Sequence, residues 1–324
     1  MTKLIRNKLG IPPTLSLKNF YEKRNKILIV RETGGLGDIL MHRMMFEDFK
    51  RVMPDAKISL ALPKQYHVAV EDHPFIDEVL NHREVNVHDY VVSYNTTSAC
   101  TRYEMRMFPF SGKHRSDIWA NHCGVYLTKH NMHINLEDEY KEFGKKKLEE
   151  CRNGNNGPAV LISPVSAMQV KNLTNFQLEG LVSGLRARGF FVYASHKTAI
   201  PKLIELNVPV IDGTSIREWM GVIDAADYVI SVDTSTFHYA GGTGKPLLGI
   251  FTFADGKVYG RHYDFVLVQK HRDDGNWDCG PCYNWSVCPK SPKKIPKPCL
   301  LEITPQMILE GFDKMIKKWP CNVS

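Results

Sequence analysis

Residues 226–251 read ADYVISVDTSTFHYAGGTGKPLLGIF. A β-branched run ending at Val232 stops on Asp233, gives way to Thr234, Ser235 and Thr236, and resumes as an apolar run after Pro246. Strand, polar turn, helix-length segment and second strand make a β-α-β unit. The near-continuous apolar character of both runs predicts strands buried on both faces of a parallel sheet. The turn lies where strand passes into helix, so its free N–H groups and hydroxyls meet whatever binds at the C-terminal edge of that sheet. Residues 233 to 236 therefore read as a phosphate-facing turn, with Asp233 orienting a donor hydroxyl or capping the helix. His238, about one turn further on, either reaches the same ligand or packs as helix histidines commonly do. GGTGKP is not a P-loop: Tyr239 stands where the first glycine is required, and Pro246 rather than Ser or Thr follows Lys245, which starts a strand on the far side of the helix.

Upstream of this unit the same alternation runs through AVLISP, a helix from about Phe176 to Arg188, FFVYAS, VPVID and a helix from about Ser215 to Ala226. This predicts a doubly wound parallel sheet. Nearer the N-terminus, KILIV (26–30), the glycine loop RETGGLGD, a helical pattern over 38–53 and AKISLAL (56–62) form another β-α-β unit, with further strands at 76–80 and 89–94. Residues 96 to 135 carry no assignable pattern. A lysine-rich helix, EYKEFGKKKLEEC, leads into RNGNNGP (152–158), the best linker in the chain. The tail TPQMILEGFDKMIKKW (304–319) predicts an amphipathic helix capped by Thr304 with Pro305 in its first turn. The expected organisation is an N-terminal Rossmann-like acceptor domain (1–155), a C-terminal donor domain (156–303) and a final helix (304–324), with the ligand cleft between two α/β halves.

The chain has 324 residues, 43% of them hydrophobic and 24% charged, with a formal net charge of +7. These values suit two globular domains and favour an anionic partner, without choosing among nucleotide phosphates, lipopolysaccharide and DNA. No stretch approaches the length of apolar sequence a membrane span requires, and the N-terminus is too polar for a secretion signal, so a cytoplasmic location is expected. Eight cysteines in a reducing compartment point to metal ligands where they cluster. They cluster once, at Cys279, Cys282, Cys288 and Cys299, in a Pro/Lys-rich loop that cannot bury a core of its own. A tetrahedral thiolate site for structural zinc or iron is favoured over free thiols. The other four cysteines have no ligand spacing. Lys290, Lys293, Lys294 and Lys297 make the loop basic, either as a soluble surface or as a contact for an anionic acceptor.

In TGGLGD, Gly35 and Gly37 let backbone N–H groups approach an anion. The dinucleotide fingerprint fails, because Leu40 occupies the third glycine position and ALPKQ supplies no acid for a ribose. Asp38 opens the following helix; it satisfies first-turn N–H groups or, at the end of the first strand, serves as a base. Lys171, after AVLISP and before a helix, is either a solvated lysine or a cation beside a leaving diphosphate.

GGLGDIL, PDAKISLAL, HPFIDEV, KNLTNF, ADYVISVDTSTFHYAGGTGKPLLGIF and CGPC…CLLEITPQMI together resemble glycosyltransferase family nine, the ADP-heptose-type heptosyltransferases. The resemblance implies a GT-B fold: two Rossmann-like doubly wound domains facing across a cleft. It also implies an inverting, metal-independent transfer from a nucleotide sugar, with a last helix returning to the first domain. In these terms Asp38 matches the proposed base, Lys171 the phosphate-binding lysine, and Asp233, Thr234 and His238 the donor-binding turn. The segment YAGG departs from the family's usual small residues after the histidine. Cysteine fingers of similar kind occur in related protein heptosyltransferases. The acceptor stays open between lipopolysaccharide core, a protein side chain and a hydroxymethylated base in DNA. The alternative reading is a non-catalytic, metal-stapled binding protein, with nucleic acid as a candidate partner.

Overall fold

A computed structural model describes residues 23–108, 111–211, 214–269 and 297–321. The described residues form two units. The first runs to Arg106 and includes Arg115–Asn135; the second comprises Met107–His114 and the chain from Leu136 onward.

In the first unit, KILIV forms strand β1 (Lys26–Val30), followed by helix α1 (Leu36–His42), a 3-10 turn (Arg43–Met45) and helix α2 (Phe46–Val52). The single helix expected over 38–53 is thus interrupted. At the break Arg43 is fully buried, donating to the carbonyls of Ala69, Met132 and His133 and pairing through both terminal nitrogens with Asp72. Strands β2 (Lys57–Leu62), β3 (Glu78–Asn81) and β4 (Val92–Asn95) complete a parallel sheet of order β3-β2-β1-β4. The region without a readable pattern folds into α3 (Ala99–Met107) and α4 (Arg115–His122). α4 buries Ser116, Ile118, Trp119 and Ala120, a mixed face that no hydrophobic period announces.

The second unit opens with α5 (Asp138–Arg152), followed by β5 (Ala159–Ser163), a 3-10 turn (Gln169–Lys171), α6 (Asn175–Ala187), β6 (Phe191–Ser195), α7 (Pro201–Glu205) and β7 (Val210–Ile211). Then come α8 (Ile216–Asp224), β8 (Tyr228–Val232), α9 (Ser235–Gly242), β9 (Leu247–Ile250), α10 (Gly256–Tyr259), β10 (Val266–Val268), α11 (Pro298–Leu301) and α12 (Pro305–Lys318). All six strands are parallel, in the order β10-β9-β8-β5-β6-β7. Read from β7, this is the doubly wound order 3-2-1-4-5-6, whose strand order reverses between β5 and β8.

The boundary differs from the expectation. α5 lies in the second unit although the linker-like RNGNNGP follows it, because α5 packs against α8 through glycines. A Cβ at Gly144 would stand 1.9 Å from the Gly221 carbonyl oxygen, and one at Gly221 would stand 1.9 Å from that of Tyr140. The two backbones are in direct contact, a distance only glycine permits. α12 begins as predicted, with the Thr304 hydroxyl accepting from the Met307 N–H at 3.2 Å. Its Ile308, Leu309, Phe312 and Met315 join Leu178, Leu181 and Leu185 of α6 in the core beneath the second sheet. No helix among the described residues is long and apolar enough to cross a membrane.

Candidate active-site residues

The reversal point of a doubly wound sheet leaves a crevice at its strand ends, because the loops from the two central strands diverge to opposite faces. In the second unit those strands are β5 and β8, paired side by side as far as Ser163 and Ser231. Lys171 follows the first and Asp233 the second, and the structure brings them together. Lys171 Nζ donates to Asp233 Oδ2 at 2.8 Å. The loop carrying Lys171 is fixed by Ser166 N–H donating to Asn172 Oδ1 and by a capping box between Thr174 and Gln177.

Asp233 is 7% exposed. Burial pushes its carboxyl up, but the Lys171 ammonium and then His238 outweigh burial and hold it well below the usual carboxylate range. His238 Nε2 lies 3.6 Å from Asp233 Oδ1, and its Nδ1 lies 3.1 Å from the Tyr263 hydroxyl. The Lys171 ammonium also faces the ring of Phe253 at 5.6 Å. Thr234 is the N-cap of α9, its hydroxyl accepting from the Thr236 N–H. Thr236 is buried and Ser235 half-buried at the first turn. The result is a lysine, a carboxylate and an imidazole beside a helix N-terminus, a set suited to a diphosphate and the hydroxyls of its sugar. Lys245 precedes β9 and donates to the Asp224 carbonyl.

The first sheet, of order 3-2-1-4, reverses between β1 and β4. Arg31, directly after β1, is 4% exposed and donates to the Thr96 carbonyl after β4 and, at 3.0 Å, to Asp38 Oδ2. Arg115 donates to Asp38 Oδ1 at 2.9 Å while its Nε and other terminal nitrogen clasp Glu104. Gly35 rather than Asp38 is the N-cap of α1, and both Asp38 carboxylate oxygens meet guanidinium groups. Arg31 Nε is buried and without a partner among the described residues.

His42 sits behind this pair, its Nε2 3.0 Å from the Thr96 hydroxyl, which itself donates to the Val30 carbonyl. That hydroxyl has one proton, so Nε2 carries the imidazole proton. Burial, reinforced by Arg31, lowers the His42 pKa to about 3.

Gly35 and Gly37 begin α1, but the glycine the site requires is Gly34. It has φ of +137°, and a Cβ there would lie 2.7 Å from Arg31 Nη2 and 3.2 Å from Asp38 Oδ2. Sequence reasoning missed Gly34, Arg31, Arg115 and Glu104; the one local cue is that Arg31 and Gly34 flank the turn after a strand. Of the four clustered cysteines, Cys279, Cys282 and Cys288 lie outside the described residues, and Cys299 is half-buried in α11. Cys100 and Cys123 are buried, and burial pushes both thiols up, that of Cys123 to about 12, so neither is a reactive thiolate.

Two doubly wound parallel sheets, each with charged side chains gathered at its reversal point, have the α/β architecture of the GT-B class. The profile of glycosyltransferase family 9 (heptosyltransferase) matches residues 97–265, just over half of the chain. The chain belongs to that family.

Solved structures agree in fold. A family 9 glycosyltransferase from Veillonella parvula has a TM-score of 0.65 at 13% identity, covering 92% of this chain and 98% of that one. The ADP-heptose lipopolysaccharide heptosyltransferase II of E. coli also has a TM-score of 0.65 at 13% identity, covering 91% and 100%. The dodecameric iron-containing heptosyltransferase TibC of enterotoxigenic E. coli, in complex with ADP-D-β-D-heptose, reaches 0.68 at 14% identity, covering 92% and 80%. At these identities the likeness shows the fold alone. A search of curated protein sequences returned no match.

Proposed function

We propose that this enzyme transfers a sugar, with inversion, from a nucleoside-diphosphate donor to a hydroxyl acceptor. The observation that carries the reading is the Lys171–Asp233–His238 set at the reversal point of the second sheet. Asp38 takes the acceptor proton as the acceptor oxygen bonds to the anomeric carbon. The bond from that carbon to the diphosphate breaks, and its electron pair stays on the phosphate oxygen. Lys171 and the α9 N-terminus stabilise that charge, Thr234 and Ser235 border the diphosphate, and Asp233 holds Lys171 and a sugar hydroxyl. Family membership and the ADP-heptose named with two of the similar structures favour an ADP-linked donor. The net positive charge favours an anionic acceptor: lipopolysaccharide core, a protein or modified DNA. The cysteine loop, by its spacing and by likeness to iron-containing TibC, is assigned a structural zinc or iron ion through which no catalytic step passes.

Thermal unfolding with ADP, UDP, GDP and CDP in turn tests the donor site, since a ligand that binds only the folded state raises the midpoint. A shift with ADP above the others is expected; no shift with any of them overturns the reading. Asp38→Asn should retain ADP binding while transfer falls by about 10²- to 10⁴-fold. Unchanged transfer removes Asp38 from the mechanism.

A further inference from the structure

Tyr263 lies outside every recognisable motif, in the turn after α10, where its N–H donates to the Gly260 carbonyl. It is 8% exposed. Its ring lies against Gly241, where a Cβ would stand 2.5 Å from the Tyr263 Cγ. The ring also meets those of Phe237 and His238 edge-on, with centroids at 5.6 and 5.9 Å. Gly241 thus has a specific function within the unusual YAGG segment: it makes room for a tyrosine ring whose hydroxyl can reach His238 Nδ1.

The hydrogen-bond inventory around His238 determines what that contact does. Asp233 is held ionised and can only accept, so the imidazole nitrogen facing it, Nε2, at 3.6 Å and thus in charge contact rather than hydrogen-bonded, is the one where a proton is favoured. In the neutral ring Nδ1 is then a bare lone pair, and the Tyr263 hydroxyl is the donor that meets it. Were Nδ1 protonated instead, the phenol would have to accept and its own buried proton would lose this partner. The chain Tyr263 O–H to Nδ1 and Nε2–H toward Asp233 is consistent in one direction only.

We propose that Tyr263 is a positioning residue that fixes the tautomer and ring orientation of His238, so that Nε2–H is presented to Asp233 and to an oxygen of the bound donor. The inference rests on the donor-site reading of Asp233 and His238. Phe237 and the Gly241 backbone hold the ring plane, and the hydroxyl selects the proton's place. The groups facing His238 are Asp233 from its own turn and Tyr263 from the segment after α10. Lys171 acts on it through Asp233, and the His114 ring lies 6.2 Å from that of Tyr263.

The test uses protein labelled with 15N-histidine, two-bond 1H–15N correlation spectra to identify each ring's protonated nitrogen, and calorimetric titration with ADP. His238→Asn identifies the His238 resonances by their loss. Wild type should show His238 protonated at Nε2. Tyr263→Phe keeps the ring on Gly241, so the unfolding midpoint should hold, yet Nδ1-protonated His238 should appear and ADP affinity should fall about three- to tenfold, the range of one lost hydrogen bond. Donor KM should rise more than kcat falls. Gly241→Ala, which displaces the ring without touching the hydroxyl, should reproduce the tautomer change. A Tyr263→Phe protein with wild-type tautomer and ADP affinity overturns the proposal while leaving the donor site intact. An unchanged ADP affinity in His238→Asn overturns the placement of His238 in the donor site, and Tyr263's role with it.

Discussion

Replacing Lys171 by methionine removes the cation nearest Asp233 while keeping an unbranched side chain against Phe253. Stranding a buried carboxylate costs about 3–5 kcal/mol. The pair is 2.8 Å apart with side-chain exposures of 18% for Lys171 and 9% for Asp233, so water relieves part of that cost. About 3 kcal/mol is expected, a fall of roughly 6–12 °C in the unfolding midpoint for a unit of this size.

The loss should depend on pH in a particular sense. In the wild type the Asp233 carboxyl lies below its ordinary value of 3.8. Its stabilisation is therefore complete above that value and is lost as pH falls through the folded one. Without Lys171, burial dominates and pushes the carboxyl up, so the folded variant takes up a proton before the unfolded chain does. The deficit should be largest near pH 8 and shrink toward pH 5. Urea unfolding at the two pH values, followed by tryptophan fluorescence, measures it, and Lys171→Met combined with Asp233→Asn should recover most of the loss. An equal deficit at both pH values, or a double variant as unstable as the single one, would show that the ion pair is not what the methionine disturbs.

Gly221→Ala should lower stability by about 1–3 kcal/mol, because its methyl would overlap the Tyr140 carbonyl and force α5 and α8 apart; a melting curve checks this. Arg43→Met should cost about 3–5 kcal/mol by stranding Asp72 and three carbonyls. Limited proteolysis should then cut near Met132 and His133 sooner than in wild type. His42 and His73 both have folded values near 3, so each contributes stability that is full above about pH 6.5 and lost below it. The unfolding free energy from urea titration should fall on acidification from pH 6.5, at up to about 1.4 kcal/mol per pH unit for each histidine. His42→Gln should make that slope shallower.

The strands were legible because apolar, largely β-branched residues fill KILIV, AVLIS and YVISV, and a chain buried on two faces has few other ways to be written. β10 was not, since Val266–Val268 is too short to show a pattern. Lys171 and Asp233 could be placed at one sheet edge because each follows a recognisable strand. Strand order, which makes β5 and β8 neighbours, decides that they touch, and sequence alone does not reveal that order. Around Asp38 it was the partners that were not legible. The residue was singled out, but its partners come from Arg31 and from Arg115 in a stretch whose helices α3 and α4 bury polar and apolar groups together. Tyr263 has no local signal: its role exists only because Gly241, more than twenty positions earlier, lacks a side chain.

The glycine contact between α5 and α8 also sets an order of events during synthesis. α5 leaves the ribosome well before α8, and at about 5–20 residues per second the interval from Gly144 to Gly221 is roughly 4–15 s. Through that interval the helix lacks α8, and among its residues only Gly144 and Leu148 are fully buried in the finished fold. The rest of its surface carries the pairs Asp138–Lys141, Glu142–Lys145, Lys147–Glu150 and Glu149–Arg152, which lie within single turns and need nothing from downstream sequence. Leu148 and the half-buried Tyr140, Phe143 and Cys151 are the apolar surface this helix carries until its partner arrives.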